Sequence, residues 1–370
     1  MCGRQAGTSI RPLVAILALI MALGSCARQP VKIGFIGPMT GPIANIGVEG
    51  YRGFGLAMAE ANDSGGLIGR RIDVTMLDDH ANPDDCLAAA RQLVDAGVHL
   101  IVLHTISGAA AGALPWLLTQ DVLVLSRTVS DASWAGKDDA FLRFVGSIKD
   151  YGHTLGAFAA TKGTHSVAVI ADSRNKTYAE IMRDNFLPAA SIANSPERWV
   201  NAGFSHDAAA AWVMSASPEA VLAILPGLDA AKMAQALDKT GFKGLLYLAP
   251  WAQDQNLLSY SGRLSDRIFL SSEFNPDSIA VSYLAFRTRF RELFSREPVM
   301  SSSFGYEIAT FLLRGINDAG SSSPKAVRAE LLSMERFKGL QYDFDLDHNG
   351  DASLSANILT IRSGAFVETQ

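Results

Sequence analysis

Short apolar runs alternate with longer segments of helical periodicity between residues 31 and 125. Continuous runs rich in β-branched residues are typical of strands that are buried on both faces of a parallel sheet, with helices between them. This pattern predicts a first α/β unit. Its strands are expected at 31–36, 72–77, 100–103 and 122–125, and its helices at 45–62, 84–96 and 108–118.

The same alternation restarts near residue 150 and predicts a second open α/β unit. Its strands are expected at 167–171, 198–200, 221–225 and 245–248, and its helices at 150–161, 178–188, 206–216 and 230–240. After residue 272 the pattern becomes helical at 280–294, 304–319 and 324–333. Two short strands at 341–344 and 356–361, joined by a polar turn, are predicted to end the chain. A helical block followed by terminal strands indicates that the chain crosses between the two units more than once.

The segment 31–47, VKIGFIGPMTGPIANIG, combines three signals within seventeen residues. A β-branched run ends in one Gly-Pro pair, a second Gly-Pro pair follows, and a helical pattern opens near Asn45. Ligands of α/β proteins sit where strand ends meet helix N-termini. This segment is therefore predicted to form part of a ligand-binding loop.

The first 25 residues have the features of an export signal. Arg4 and Arg11 precede an unbroken apolar run at 13–23, which is too short to span a bilayer because a span takes about 20 apolar residues. The sequence Leu-Gly-Ser-Cys that ends at Cys26 resembles a bacterial lipobox, which implies cleavage before Cys26 and its lipidation. The protein is then expected on the extracytoplasmic face or in the periplasm, lipid-anchored to a membrane. An ordinary signal peptide that happens to contain a cysteine is the alternative.

Composition narrows the classes of function. Removal of residues 1–25 leaves 345 residues, enough for two domains, and changes the net charge from −5 to −7. An acidic chain without a basic patch argues against a nucleic-acid partner. Cys86 is then the one unmodified cysteine, so no internal disulfide is expected, and its position in a helical run predicts a buried apolar role.

Several stretches in a fixed order resemble one known family. They are KIGFIGPMTGPIANIG at 32–47, GGLIGRRIDVTMLDDHANP at 65–83, the turn at Ser107, LSRTVSDAS at 125–133 and FDLDHNGDA at 344–352. Together they resemble type I periplasmic binding proteins of the branched-chain amino acid family, the extracytoplasmic receptors of certain ABC importers. The resemblance specifies the family more strongly than the ligand.

The resemblance implies a two-lobed α/β fold, the Venus flytrap, in which each lobe is a parallel-sheet sandwich and three crossovers join the lobes. The N-terminal lobe would comprise 31–147 plus 274–335, and the C-terminal lobe 148–273 plus 336–370. A ligand would be held in the cleft, and the lobes would close around it by hinge bending.

The family also implies contacts with the ligand. Ser107 at a helix start would meet a ligand carboxylate with its hydroxyl and the neighbouring amides, where a helix carries unpaired N–H groups. Thr128 and Ser130 would contact the ligand from the turn after the fourth strand, and Tyr178 would contact it from the second lobe. From the residues alone, Ser107 could equally be an N-cap, and Thr128 and Ser130 ordinary turn residues.

Three positions depart from the amino-acid-binding pattern. Ile46 and Leu228 stand where relatives commonly have aromatic residues, and Trp251 aligns with the acid that receives the α-ammonium group. A buried ammonium without a carboxylate is costly, so a zwitterionic amino acid would bind poorly. Asp229 or Asp254 could substitute if the loops shift. Trp251 otherwise predicts an apolar or aromatic ligand surface, and plain lobe packing is the alternative.

Three other motifs suggest chemistry without supporting it. Asp78-Asp79-His80 is interpreted as a strand-end turn, and His104 lacks the partners of a catalytic triad with Ser107. The acidic turn 345–350 resembles a calcium loop, but its twelfth position is Ala356 instead of glutamate, so it is interpreted as the turn of the last hairpin. No catalytic residue, metal or cofactor is predicted.

The leading hypothesis is a substrate-binding lipoprotein that captures a small molecule and presents it to an ABC permease with its ATPase. A monomer is expected. The ligand is predicted to be apolar or aromatic, with a carboxylate allowed, instead of a plain branched-chain amino acid. The alternatives are a ligand-sensing lipoprotein that signals without import, and an enzyme or lipid-handling protein on the same scaffold, because fold alone does not settle function.

Overall fold

The computed structural model describes residues 29–369. The predicted signal peptide at 1–25 and the predicted lipidation of Cys26 lie outside the described residues. Among the residues that are described, no helix is long and apolar enough to cross a membrane.

The first sheet has five parallel strands in the order β2-β1-β3-β4-β5. Residues on both of its faces are buried, as the continuous apolar runs predict. Its strands are β1 (Val31–Gly37), β2 (Ile72–Asp78), β3 (Leu100–Leu103), β4 (Leu123–Ser126) and β5 (Phe141–Arg143).

The second sheet has seven strands in the order β14-β13-β10-β9-β8-β6-β7. The five strands β6 to β10 run parallel, whereas β13 and β14 are antiparallel additions at one edge. These strands are β6 (Val167–Asp172), β7 (Glu197–Val200), β8 (Ala220–Ile224), β9 (Leu245–Leu248), β10 (Ile268–Ser272), β13 (Asn357–Arg362) and β14 (Ala365–Glu368).

Eleven α-helices are found within residues 29–369. Several begin at residues with side chains that suit a helix start: Asn82 accepts hydrogen bonds from the amides of Asp84 and Asp85, and a proline occupies the first helical position after it. The helices are α1 (Ala44–Asp63), α2 (Pro83–Asp95), α3 (Ser107–Leu117), α4 (Ile148–Thr161), α5 (Lys176–Ala189), α6 (His206–Ala216), α7 (Gly227–Lys239), α8 (Gln255–Tyr260), α9 (Val281–Phe294), α10 (Met300–Ala319) and α11 (Pro324–Ser333).

Three apolar clusters hold these layers together. One lies between the first sheet and α1, α9, α10 and α11, and another lies between the second sheet and α6 to α8. The third runs from α2 and α3 on the first sheet to α4 and α5 on the second, and it includes Cys86, Ile106, Tyr178 and Trp251. Because this third cluster is continuous across the two sheets, the lobes are packed against each other.

The chain passes between the two sheets three times: after β5, after β10, and after a two-stranded ribbon of β11 (Phe337–Lys338) and β12 (Asp343–Phe344). Two helix-covered sheets joined by three crossovers confirm the predicted two-lobed α/β fold class. The residue boundaries predicted for the lobes stay a prediction.

The predicted terminal hairpin is wrong. Strand β12 pairs with β11, whereas β13 enters the second sheet between β10 and β14. Ser363 and Gly364, both with positive φ, make the tight turn that returns the chain as β14. Strands β5, β10, β11 and β14 were not predicted, because short runs carry little periodic signal.

The acidic turn at 345–350 is therefore not a hairpin turn between the last two strands. Asp347 accepts hydrogen bonds from the amides of Asn349 and Asp351, and Asp351 forms an ion pair with Arg143 of β5 at 2.6 Å. Within residues 29–369, no cluster of His, Cys, Asp and Glu is arranged to hold a metal ion. The turn fastens the third crossover to the edge of the first sheet.

Helices α1 and α10 approach each other closely through glycines. A Cβ atom at Gly53 would collide with the carbonyl oxygen of Ser302, and one at Gly305 would collide with the carbonyl oxygen of Gly50. Gly55 lies on the same helix as Gly53, but a Cβ atom there would meet nothing within 4 Å. The contact between the two backbones therefore depends on Gly53 and not on Gly55.

We expect Gly53→Ala to lower the free energy of unfolding by about 1–3 kcal/mol, because the added methyl group overpacks the α1–α10 contact. Gly55→Ala is the matched control, and it should raise that free energy by up to about 1 kcal/mol, since alanine favours the helix. Urea unfolding followed by circular dichroism measures both. Equal effects of the two substitutions would contradict the close approach.

Candidate functional site

A cavity of ≈ 90 Å³ lies between the two lobes. Six of the seven predicted ligand contacts line it, namely Ile46, Ser107, Thr128, Ser130, Tyr178 and Trp251. Leu228, in the first turn of α7, is not among its lining residues. The other lining residues are Thr105, Ile106, Val145, Tyr151, Asn175, Pro250, Gln253, Asp254, Ser272, Glu273, Val299, Met300, Ser301 and Phe304.

The N-terminus of α3 forms one wall of the cavity. Ile106 is the N-cap residue and Ser107 is the first helical residue, so the N-cap interpretation of Ser107 is wrong. The Ser107 hydroxyl oxygen accepts a hydrogen bond from the amide of Asp131 at 3.3 Å. It therefore keeps its own proton to donate, and the Ser107 amide has no hydrogen-bond partner among residues 29–369.

Asn175 of the second lobe accepts a hydrogen bond from Gly108, the second residue of this helix. The Gly108 N–H donates to Asn175 Oδ1 at 2.9 Å, and the Asn175 side chain is buried. Sequence reasoning missed this residue, although its position directly before α5 and three residues before Tyr178 marks it as a possible cleft residue. A side chain from the other lobe thus occupies one of the N–H groups at the anion-binding end of α3.

Thr128 and Ser130 lie in the turn after β4. Thr128 Oγ1 donates to the carbonyl of Thr105 at 2.9 Å, and the Ser130 carbonyl accepts from the amide of Ile148 at 3.1 Å. These groups therefore stabilise the turn and its junction with α4. The Ser130 hydroxyl remains for a ligand.

Tyr178 and Trp251 meet edge to face, with ring centroids 6.1 Å apart. Both side chains are buried, and burial raises the pKa of Tyr178 far above its usual range, so its phenol is protonated. Trp251 Nε1 has no hydrogen-bond partner within the described chain. With Ile46, Val145 and Phe304, these rings give the cavity a largely apolar wall.

Asp254 is one of two acids that line the cavity, and its oxygens are engaged. Oδ1 accepts from the Leu257 amide at 2.9 Å and caps α8, while Oδ2 accepts from Asn45 Nδ2 at 2.5 Å and Asn256 Nδ2 at 3.2 Å. Burial raises the pKa of Asp254, which these hydrogen bonds partly oppose. Because Asn45 belongs to the first lobe, the bond also links the lobes.

Glu273 is the second acid, and it too is fully bonded. Its Oε1 pairs with Arg127 at 2.7 Å, and its Oε2 accepts from the Tyr151 hydroxyl at 2.6 Å and the Gly146 amide at 3.0 Å. Burial raises its pKa, and Arg127 opposes that effect. Asp229, the other acid considered from the sequence, is not among the lining residues and contacts His206 and Arg174.

His104 supports the cavity from behind. Its Nε2 lies 2.8 Å from Ser301 Oγ, and Ser301 in turn donates to the carbonyl of Ile46 at 2.5 Å, so Nε2 carries the proton. The ring stacks on Phe35 at 5.5 Å between centroids. Burial lowers the pKa of His104 to about 3, and the imidazole is neutral. His104 contacts Ser301 and does not pair with Ser107.

Comparison with known proteins identifies what the chain resembles as a whole. The sequence profile of a family described as periplasmic binding protein matches residues 30–365. Leu/Ile/Val-binding protein homolog 1 of Brucella melitensis is 24% identical over 367 residues and covers 93% of each chain. Leu/Ile/Val-binding protein BraC3 of Rhizobium johnstonii is 30% identical over 122 residues, and that match spans 33% of either chain.

Two solved structures whose names refer to different ligands show the same fold. A leucine-binding protein from Thermotoga maritima superposes with a TM-score of 0.83 at 20% identity, covering 92% of this chain and 98% of its own. A solute-binding protein of an ABC transporter from R. palustris, in complex with benzoate, also gives 0.83 at 17% identity, covering 92% and 95%. Likeness at these identities concerns the fold, and it does not distinguish between the two ligands.

The neutral, buried His104 predicts a pH dependence of stability. The unfolded chain takes up a proton as the pH falls through about 6.5, whereas the folded chain does not until about pH 3. This contribution is fully present above pH 6.5 and is lost progressively below it. Between pH 7 and pH 5 it should cost about 2 kcal/mol of unfolding free energy.

His104→Gln, which keeps an N–H donor for Ser301, should remove that part of the pH dependence. Urea unfolding at pH 7 and pH 5 measures it. The exposed His99→Gln serves as control and should retain the pH dependence of the unmodified protein. An unaltered pH dependence in His104→Gln would mean that His104 is charged in the folded state.

Proposed function

The chain belongs to the periplasmic binding protein family, and from that premise we propose that it captures a small apolar or aromatic solute outside the cytoplasm and delivers it to an ABC importer. The names of relatives support the transport role, since they are Leu/Ile/Val-binding proteins. Their names do not fix the ligand of this chain, because the residues that would recognise an amino acid differ.

The two carboxylates that line the cavity are the main support for the proposed ligand class. An α-ammonium group that leaves water needs a carboxylate with a free oxygen, because an unpaired buried charge is costly. Asp254 and Glu273 are the acids among the described lining residues, and every oxygen of both already accepts a hydrogen bond or an ion pair. Trp251 occupies the position where the family resemblance places the recognising acid. These facts favour a ligand without an ammonium group.

A carboxylate on the ligand fits the cavity better than an ammonium does. The Ser107 hydroxyl and amide remain as donors at the positive end of α3, although Asn175 has taken the amide of Gly108. The ring pair of Tyr178 and Trp251 would contact the apolar part of such a ligand. An aromatic monocarboxylate such as benzoate combines both features.

The remaining parts of the proposal concern partners and location. An ABC permease with its ATPase would receive the ligand-loaded, closed form. The Cys26 lipid anchor would keep the receptor at the membrane surface, close to that permease. The role is binding, and no catalytic step is proposed.

A thermal-shift experiment on the purified protein tests the ligand class. Benzoate should raise the melting temperature by mass action, whereas leucine and valine should raise it little or not at all. Trp251→Ala should weaken benzoate binding by roughly tenfold or more, since it removes a buried aromatic wall.

Trp212→Ala is the matched control, because Trp212 is half-buried on α6 and does not line the cavity. It should change the melting temperature of the free protein without changing the affinity for benzoate. Strong stabilisation by leucine or valine that persists in Trp251→Ala would overturn the proposed ligand class.

A further inference from the structure

A second cavity, of ≈ 220 Å³, adjoins the first one and has more than twice its volume. Both lobes and the second crossover contribute to it: Leu258 and Phe366 come from the second lobe, Pro276 from the crossover, and Tyr283 and Pro298 from the helical block on the first lobe. It is therefore completed when the lobes come together, as the first cavity is.

The two cavities share one wall, formed by Gln253, Asp254, Val299 and Met300. Gln253 is fixed, because it donates to the carbonyl of Phe274 at 3.0 Å and accepts from the Ser272 hydroxyl. Asp254 is fixed by its bonds to Asn45 and to the start of α8. Met300 is only half-buried, and its unbranched, adaptable side chain makes it the movable part of the wall.

The hydroxyl of Tyr283 is an unused polar group in the second cavity. Its ring is 1% exposed and packs against Phe274 and Phe286, with centroids 5.8 and 6.4 Å away. Within residues 29–369 the hydroxyl has no hydrogen-bond partner. Burial raises the pKa of Tyr283 to about 12, so the phenol keeps its proton and can donate. Because Tyr283 lines the cavity and its hydroxyl is not used by the described chain, the hydroxyl can donate a hydrogen bond to an acceptor on a ligand.

The surroundings of Tyr283 indicate the chemistry of that ligand end. Arg287 and Glu297 line the same cavity but pair with each other at 2.6 Å. The other charged residues of the lining, Asp254 and Asp277, are acids, and they disfavour an anionic ligand end. Phe274, Pro276 and Pro298 are apolar. A neutral group that can accept a hydrogen bond, on an apolar chain or ring, therefore matches the cavity.

We propose that the second cavity is a subsite for the far end of the same ligand, so that the receptor takes elongated compounds. The apolar or aromatic head fills the first cavity, and an extension passes Met300 and presents a hydroxyl or carbonyl group to Tyr283. This inference rests on the proposed function, since it assumes an apolar or aromatic head group.

Isothermal titration of the purified protein with three probes tests the subsite. The probes are benzoate, 4-butylbenzoate and 4-(3-hydroxypropyl)benzoate, the last two being equal in length but differing in the terminal hydroxyl. We expect both long probes to bind roughly tenfold or more tightly than benzoate, each with one molecule per protein, because each extension buries apolar surface. The hydroxypropyl probe should bind more tightly than the butyl probe.

Two variants assign the gain to the second cavity. Tyr283→Phe should weaken the hydroxyl probe by roughly threefold to tenfold and leave the butyl probe and benzoate unchanged, because it removes one hydrogen bond and keeps the ring. Ala365→Trp, at the exposed first residue of β14, should fill the cavity and reduce the affinity of both long probes to that of benzoate. Tyr260→Phe, an exposed tyrosine that lines neither cavity, is the control.

The outcomes separate this inference from the proposed function. If benzoate binds and the extensions add nothing, or if their gain survives Ala365→Trp, the subsite is overturned and the proposed ligand class stands. Two molecules of probe per protein would overturn the single elongated ligand. If no probe binds and leucine does, the proposed function and the subsite both fail.

Discussion

The buried guanidinium of Arg127 holds the junction on which the two-lobed structure depends. It pairs with Glu273 of the second crossover at 2.7 Å and with Glu307 of α10 at 2.8 Å, and it donates to the Phe144 carbonyl of the first crossover. It also reaches the Tyr342 hydroxyl in the ribbon before the third crossover, at 3.4 Å. A planar group with five donors can bond several acceptors at once, which lysine could not do. Loss of one partner from such a buried pair is strongly destabilising, because the other charge is left unpaired.

The same junction forms part of the floor of the first cavity. A residue that holds the lobes together therefore also faces the space where a ligand would bind. Glu273 and Tyr151 line the cavity and are bonded to each other, so Glu273 is already used at the junction of the lobes and is not free to receive an ammonium group. At the opposite rim, Asn45 bonds Asp254 across the cleft. Under the proposed function, binding shifts the lobes toward a closed population, and a ligand stabilises that state only through contacts that the closed lobes alone provide. In that proposal the apolar walls would supply such contacts.

Local sequence pattern predicted the elements that are long or fully buried, such as β3 and α6, because their periodicity arises within the element. It did not predict β5 or β14, which have three and four residues and exist through pairing with distant strands. The residues of the candidate site show the same difference between local pattern and distant contacts. Ser107 and Trp251 were found because they follow strands in a family-like order. The roles of Asn175, Arg127 and Glu273 depend on contacts across more than 65 residues, which no local pattern contains.

A crystal structure of the protein with the small molecule that co-purifies from its native source tests the central claim most directly. We predict a ligand without an ammonium group, with its apolar part against Tyr178 and Trp251, and with Asp254 still bonded to Asn45 and to the Leu257 amide. A branched-chain amino acid whose ammonium group is bonded to Asp254 or Glu273 would contradict it.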